Sequence, residues 1–256
     1  MKQYFIIATL ALASSPFFAV QAQNKPEDTE FYTPVPAVVT PGATNSNAPS
    51  DAIILFNGKD LNEWVSVKDN GPAKWIIKDG AVTVDKSTGN IETKRKFNNY
   101  QLHIEWQIPA NITGEGQARG NSGLFLASTG SGDAGYELQI LDSYTNKTYT
   151  NGQAGSIYKQ TTPLVNANRK PGEWQSYDVL WTAPVFNEDG SLKSPAKVTV
   201  LFNGVLIQNN FELKGPTQYI GKASYAKAHG ACPIKLQAHG DKSEPISFRN
   251  IWIREL

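Results

Sequence analysis

One cysteine, one methionine and three histidines in 256 residues leave little room for several common chemistries. A lone thiol, Cys232, excludes an internal disulfide framework and any cysteine-based zinc cluster. No cysteine follows the N-terminal apolar run, so no lipid anchor is expected, and Cys232 reads as a buried structural thiol. Excess charge of either sign is also missing. Twenty-four Lys and Arg face 23 Asp and Glu, and Lys2 is the only charge in residues 1–22, so the remainder is neutral at 23 against 23. A neutral chain without basic runs has no electrostatic case for nucleic acid or an anionic membrane. Long apolar runs are confined to Phe5–Val20, which is too short and too poorly flanked to be a membrane span. With Val20 and Ala22 as the small residues before a cleavage point, residues 1–22 are expected to be a signal peptide cut after Ala22. The product is then periplasmic or secreted. Helical periodicity is absent after residue 23, as is a glycine-rich phosphate loop leading into a helix.

What the chain does have is the punctuation of an all-β protein. Asp79-Gly80 and Asn203-Gly204 stand between β-branched runs, Trp75–Val84 and Val198–Gln208, and predict two hairpins with type I′ turns. Further strands are expected over Ile53–Phe56, Tyr100–Ile108, Ser122–Ala127, Gly135–Leu141, Trp174–Ala183, Pro233–His239 and Ile246–Glu255. About ten or more strands in roughly 200 residues fit one two-layer sandwich, large enough to need neither metal nor disulfide. Residues 53–256 thus form a single domain. Residues 23–52 precede it as a Pro-rich stretch holding five of the fifteen prolines. Its first part, around Phe31, Tyr32, Val35 and Val38, is apolar enough to be expected as an arm lying on the domain. Gly42–Ser50 reads as a flexible connector.

The strand GYELQIL, Gly135–Leu141, carries the most specific functional signal. Side chains alternate along a strand, so Tyr136, Leu138 and Ile140 face one way while Glu137 and Gln139 face the other, about 7 Å apart. A carboxylate and an amide side by side, with Asp142 at the strand end, suit a hydroxylated ligand. Two other strands repeat the pattern. Leu102, Ile104 and Trp106 oppose His103, Glu105 and Gln107, and Ile234, Leu236 and Ala238 oppose Lys235, Gln237 and His239. If the three strands neighbour one another, their polar sides converge on one concave face. The glycine-rich loop Thr113–Gly123 adds Arg119 and Asn121 at its rim. Metal chemistry has little support: His103 with Glu105 is too sparse a pair for zinc, and Asp69, Asp133 and Asp142 show no EF-hand spacing. Neither metal nor cofactor is expected.

Five motifs then occur in order: ILFNGKDLNEW (Ile54–Trp64), GNSGLFL (Gly120–Leu126), GYELQILDSY (Gly135–Tyr144), GEWQSYDV (Gly172–Val179) and FRNIWIREL (Phe248–Leu256). Together they resemble the 3-keto-disaccharide hydrolase domain family over essentially Ile53–Leu256. The resemblance implies a two-sheet antiparallel jelly roll of the concanavalin A-like lectin/glucanase type, exported by glycan-degrading bacteria. It also implies cleavage of glycosides already oxidised at carbon 3, by proton abstraction, elimination and hydration. Glu137 and His239 are the expected acid/base pair, with Glu105 able to stand in for either. Asn121, Arg119, Gln139, Asp142 and Gln237 are expected to hold hydroxyls or the carbonyl oxygen. The chain departs from the family pattern at Ala238, where many members carry Asp, at Phe202, where many carry His, and in an excursion from Asp241 to Glu244 after His239-Gly240. The competing readings are a non-catalytic carbohydrate-binding module and an ordinary glycosidase using Glu105 and Glu137 as its two carboxyls.

Overall fold

A computed structural model describes residues 24–256. The expected signal peptide lies outside the described residues. The chain divides into two units at Val38/Val39, and the second contains every β-strand described below. Its larger sheet has eight strands. These are β1 (Ile53–Phe56), β3 (Ile76–Lys78), β4 (Ala81–Thr83), β6 (Tyr100–Gln107), β9 (Trp174–Thr182), β12 (Lys197–Phe202), β13 (Val205–Glu212) and β15 (Ser247–Glu255). They run in the order β13-β12-β9-β6-β15-β4-β3, with β1 also paired to β15. The smaller sheet comprises β2 (Trp64–Ser66), β5 (Ile91–Thr93), β7 (Ser122–Ser128), β8 (Gly135–Ile140) and β14 (Lys235–Leu236), ordered β2-β5-β14-β7-β8. β10 (Val185–Phe186) and β11 (Leu192–Ser194) form a separate ribbon. All of these pairings are antiparallel, giving the two-layer jelly-roll sandwich that the strand pattern predicts.

Both predicted hairpins close on left-handed turn residues, Asp79 (φ 52°) with Gly80 (φ 76°) and Asn203 (φ 51°) with Gly204 (φ 81°). Between the sheets, alternate residues from each strand make a continuous core that includes Leu102, Ile104, Trp106, Leu138, Ile140 and Tyr177. Phe202 belongs to it, 4.8 Å from Tyr177 and 5.6 Å from Trp106 between ring centres. Its departure from the family pattern is therefore a matter of core packing. Each such fully buried side chain contributes about 1.5–3 kcal/mol. Cys232 is buried and free, as its lone status predicted.

This layering corrects one expectation. β8 and β14 share the smaller sheet, but β6 lies in the larger one. Leu102, Ile104 and Trp106 take the core side of β6, so His103 and Glu105 point away from the core, on the far side of the sandwich from Glu137 and Gln139. Sheets stack about 10 Å apart, and the two polar faces cannot converge.

In the N-terminal unit Phe31, Tyr32, Val35 and Val38 are exposed by 79% or more. Gly42–Ser50, expected as a flexible connector, is tied down by hydrogen bonds within the second unit. Ser50 N donates to Thr40 O and Thr40 N to Ser50 Oγ, closing a loop whose Ser46 carbonyl accepts Asn250 Nδ2 (2.8 Å) and Trp252 Nε1 (3.0 Å) from β15. Polar residues hold it through backbone groups, a signal that apolarity does not carry.

Candidate active site

Glu137 sits in the middle of β8, which is paired on one edge to β7 with Phe125 opposite Glu137 and Gly123 opposite Gln139. Its other edge is covered by the segment 153–158, through Gln139 N to Ser156 O (2.9 Å) and Tyr158 N to Glu137 O (3.0 Å). The loop at Thr217 continues this cover along the same edge: Thr217 N donates to Gly135 O (2.7 Å) and Glu137 N to Thr217 Oγ1 (3.1 Å). These covers explain why every residue of β7 and β8 is buried, including the polar ones. The carboxyl of Glu137 lies across the backbone of Gly123, where a Cβ would come within 2.6 Å of Oε1. A side chain at 123 would fill the space the carboxyl occupies.

Burial is the larger cause, and the negative Asp133 the second, of a Glu137 pKa pushed up to about 8. With no cation to offset them, the group is mostly protonated at neutral pH and able to donate a proton. Around it stand amides. Gln139 Nε2 donates to Asn121 Oδ1 (3.0 Å), and Asn121 Nδ2 donates to Gln117 O (2.7 Å) while lying 3.5 Å from His239 Nε2. The carbonyl oxygens of Gln139 and Gln237 are buried with no hydrogen-bond partner. An orphaned buried acceptor costs about 1–3 kcal/mol, so two in one cavity mark a place where donor-bearing ligand groups complete the structure.

His239 faces the same cavity from the chain beyond β14. Its Nδ1 is 2.7 Å from Asp241 Oδ2. Asp241 is itself held by Ser243 N (2.7 Å), the Ser243 hydroxyl and Lys86 Nζ (3.0 Å). Burial opposes its charge, but the bonds from Ser243, His239 and Lys86 outweigh it and keep Asp241 below the ordinary carboxylate range. An ionised Asp241 accepts a hydrogen bond from Nδ1–H, the tautomer that leaves the Nε2 lone pair directed toward Asn121 and the cavity. β14 is shorter than the predicted Pro233–His239 because Ala238 N turns from the sheet to Asn90 Oδ1 (2.8 Å).

The cavity measures about 150 Å³ and is lined by Gln117, Asn121, Asp133, Glu137, Gln139, Tyr158, Thr217, Tyr219, Gln237 and His239. Of the residues singled out from sequence, Glu137, His239, Asn121, Gln139 and Gln237 meet here. Three do not. Glu105 is on the opposite sheet, paired with Arg249 Nε (2.6 Å) and Asn250 Nδ2 (2.9 Å). Arg119 Nε is spent on Asp142 Oδ2 (2.6 Å), with Nη1 on Ile112 O (3.1 Å). Asp142 is buried beneath it, so this pair fastens the Thr113–Gly123 loop and does not line the cavity. Sequence reading missed Gln117, Asp133, Tyr158, Thr217 and Tyr219, which come from loops whose return to β8 has no local signature. Gly123 alone left a trace, as a glycine opening a strand, a common mark of close approach. Among the described residues no group of three or more His, Cys, Asp or Glu is placed to hold a metal ion.

Residues 51–254 match the family described as the 3-keto-alpha-glucoside-1,2-lyase-like domain. The 3-keto-disaccharide hydrolase of Bacteroides thetaiotaomicron is 29% identical over 165 residues, which are 52% of this chain and 54% of that protein; the match thus spans about half the length of that relative. A crystal structure from Parabacteroides distasonis ATCC 8503, provisionally named a glycosyl hydrolase, is 58% identical with a TM-score of 0.85. The likeness covers 92% of this chain and 98% of that one. A second structure from the same organism, 21% identical with a TM-score of 0.59 over 80% of this chain and 94% of its own, shares the fold. With four-fifths of its length matched and the buried Glu137 cavity built on the matched strands, the chain belongs to the 3-keto-alpha-glucoside-1,2-lyase-like domain family.

Proposed function

We propose that this protein is an exported, periplasmic or secreted, hydrolase of 3-keto-glycosides. Supporting this is one juxtaposition: a buried, protonated Glu137 shares a cavity with a His239 imidazole whose free nitrogen is oriented by Asp241. A ketone at carbon 3 acidifies the C2 proton. His239 Nε2 accepts that proton, and Glu137 donates its own to the departing glycosidic oxygen as the C1–O bond breaks. The electrons of the C2–H bond become a C1=C2 double bond conjugated with the ketone. Water then adds at C1 and a proton returns to C2, giving the free 3-keto sugar and restoring both residues. The unpaired amide oxygens of Gln139 and Gln237 accept hydroxyls of the bound ring.

A second reading has one observation in its favour. Asp133 and Glu137 line the same cavity, so an ordinary two-carboxylate glycosidase would use that pair in place of Glu105 with Glu137. Purified protein should be offered a 3-keto-glucoside and the unoxidised glucoside in D₂O. Cleavage of the ketone alone, with deuterium at C2 of the released sugar, is the expected outcome. Cleavage of the unoxidised glucoside without deuterium would establish the second reading, and turnover of neither would leave a carbohydrate-binding module.

A further inference from the structure

We infer that the leaving-group side of this site is a cationic subsite, selecting glycosides whose leaving group carries an anionic substituent such as a carboxylate or sulfate. The inference rests on the hydrolase reading above. The Glu137 cavity, at about 150 Å³, is well below the ~300 Å³ at which pockets begin to enclose a drug-sized ligand. It takes one sugar ring, and the rest of the substrate must lie outside. Tyr158 is the wall it shares with an adjoining groove of about 280 Å³, also lined by Lys159, Gln160, Lys214, Gln218 and Lys222. Together the two reach the size of an ordinary ligand site.

The two compartments have opposite electrostatic character. The first holds Asp133 and Glu137. The second holds three lysines and no carboxylate, and none of the three is in an ion pair among the described residues. Lys159 Nζ donates to Tyr219 O (2.6 Å) and lies 4.3 Å from the centre of the Tyr219 ring, at the boundary of the two spaces. An ammonium has three N–H donors, so two remain for a ligand.

The groove is a built feature. Gln160 braces it from both sides, Nε2 donating to Gly215 O (2.9 Å) and Oε1 accepting from Lys214 N (2.8 Å). Gly215 adopts φ +132° and its backbone packs so tightly on Ser224 that a Cβ would come within 2.4 Å. Lys159 itself is held in a left-handed conformation at φ 60°. Thr217 and Tyr219 of the same loop face the Glu137 cavity while Lys214, Gln218 and Lys222 face the groove. One loop, tied to β8 through Thr217, therefore walls both compartments. A site fixed before the ligand arrives spends less on ordering it.

The test pairs binding with turnover on the full chain. D-glucuronate, D-glucose 6-sulfate and D-glucose are titrated calorimetrically into the wild type and Lys214→Met/Lys222→Met. In parallel, 3-keto-glucosides with a hexuronic acid, a sulfated hexose or a neutral hexose as leaving group are compared by KM. Expected are tighter binding of both anions than of glucose and a KM about 10-fold lower for charged leaving groups, ~1.4 kcal/mol. Both effects should shrink in the double variant and at raised salt, since exposed charges are screened. A carboxylate-only or sulfate-only preference would identify which substituent is read. Equal binding of all three sugars, or a preference that survives the double variant, would overturn the subsite. If no 3-keto-glucoside is cleaved the hydrolase reading falls, while the calorimetry still decides the groove.

Discussion

The outer faces of the two sheets present nearly the same residues and do opposite things with them. On the larger sheet, His103 is buried between two acids, with Nδ1 2.6 Å from Asp178 Oδ1 and Nε2 3.6 Å from Glu105 Oε1. A bulge in β15 between Arg249 and Trp252, with Asn250 at φ 48°, brings Arg249 and Asn250 both onto Glu105. Arg249 in turn lies 4.1 Å from the centre of the Trp174 ring. Burial works against both charges there, yet their partners win, so Glu105 falls to about 2 and His103 rises to about 9. On the smaller sheet Glu137 meets amides, a neighbouring acid and no cation, and rises to about 8. Residue types alone therefore say little. A carboxyl surrounded by compensating charge is a fastening, and one denied it is a reagent.

Breaking the fastened face should have the largest effect on stability. Glu105→Ala takes the shared acceptor from Arg249 and Asn250 while His103 keeps Asp178, and losing hydrogen bonds to a charged group costs about 1.5–3 kcal/mol. Denaturant titration should show that loss while turnover of a 3-keto substrate survives in the folded fraction. On the other face the roles reverse. Glu137→Gln and His239→Ala should each lower turnover by about 10²-fold or more without lowering the melting temperature at pH 7, and Glu137→Gln, which removes a buried titrating carboxyl, should raise it. Large stability losses there would make both residues structural.

A more graded probe is Gly123→Ala. The added methyl displaces the Glu137 carboxyl, and misplacement of about 1 Å can cost up to ~10²-fold in rate, so a loss of about 10-fold or more is expected. Kinetic assays with far-UV dichroism to confirm the fold would check it.

The two faces should also give way in different pH windows. Because Glu137 is raised, its contribution is fully present below its ordinary pKa of 4.5 and lost as pH climbs through about 8. His103 is likewise raised, so its share holds below 6.5 and is lost as pH passes about 9. Glu105 is depressed; its share is present above 4.5 and lost as pH falls through about 2. Glu137→Gln should flatten the alkaline limb of melting temperature against pH and leave the acid limb alone. The smallest effect belongs to the N-terminal stretch. Deleting residues 24–38, whose apolar side chains are exposed, should change stability by no more than about 0.5 kcal/mol.

Much of this was legible because strand alternation is a local rule. Tyr136, Leu138 and Ile140 fixed which way Glu137 and Gln139 point, and Asp79-Gly80 and Asn203-Gly204 fixed two hairpins, without reference to the rest of the chain. The same rule placed His103 and Glu105 correctly relative to their own strand and wrongly relative to Glu137. Parity says which side of a sheet a residue takes but not which sheet it joins. Arg119 and Asp142 failed for a related reason, since two residues that each look ligand-facing can satisfy one another. The connector Gly42–Ser50 was misread because polar composition says nothing of where backbone carbonyls find donors.

The sequence by itself determined the all-β class, the turn chemistry, the neutral surface charge and the pairing of a carboxyl with an amide on one strand face. These depend on steric and periodic constraints acting over a few residues. Only the tertiary structure decided that Glu137 keeps its proton, that Asp241 orients His239, and that a lysine-lined groove adjoins the cavity. These depend on desolvation and charge supplied by segments as far apart in the chain as Lys86 and Asp241, 155 residues, and Coulombic fields act across space without regard to sequence separation.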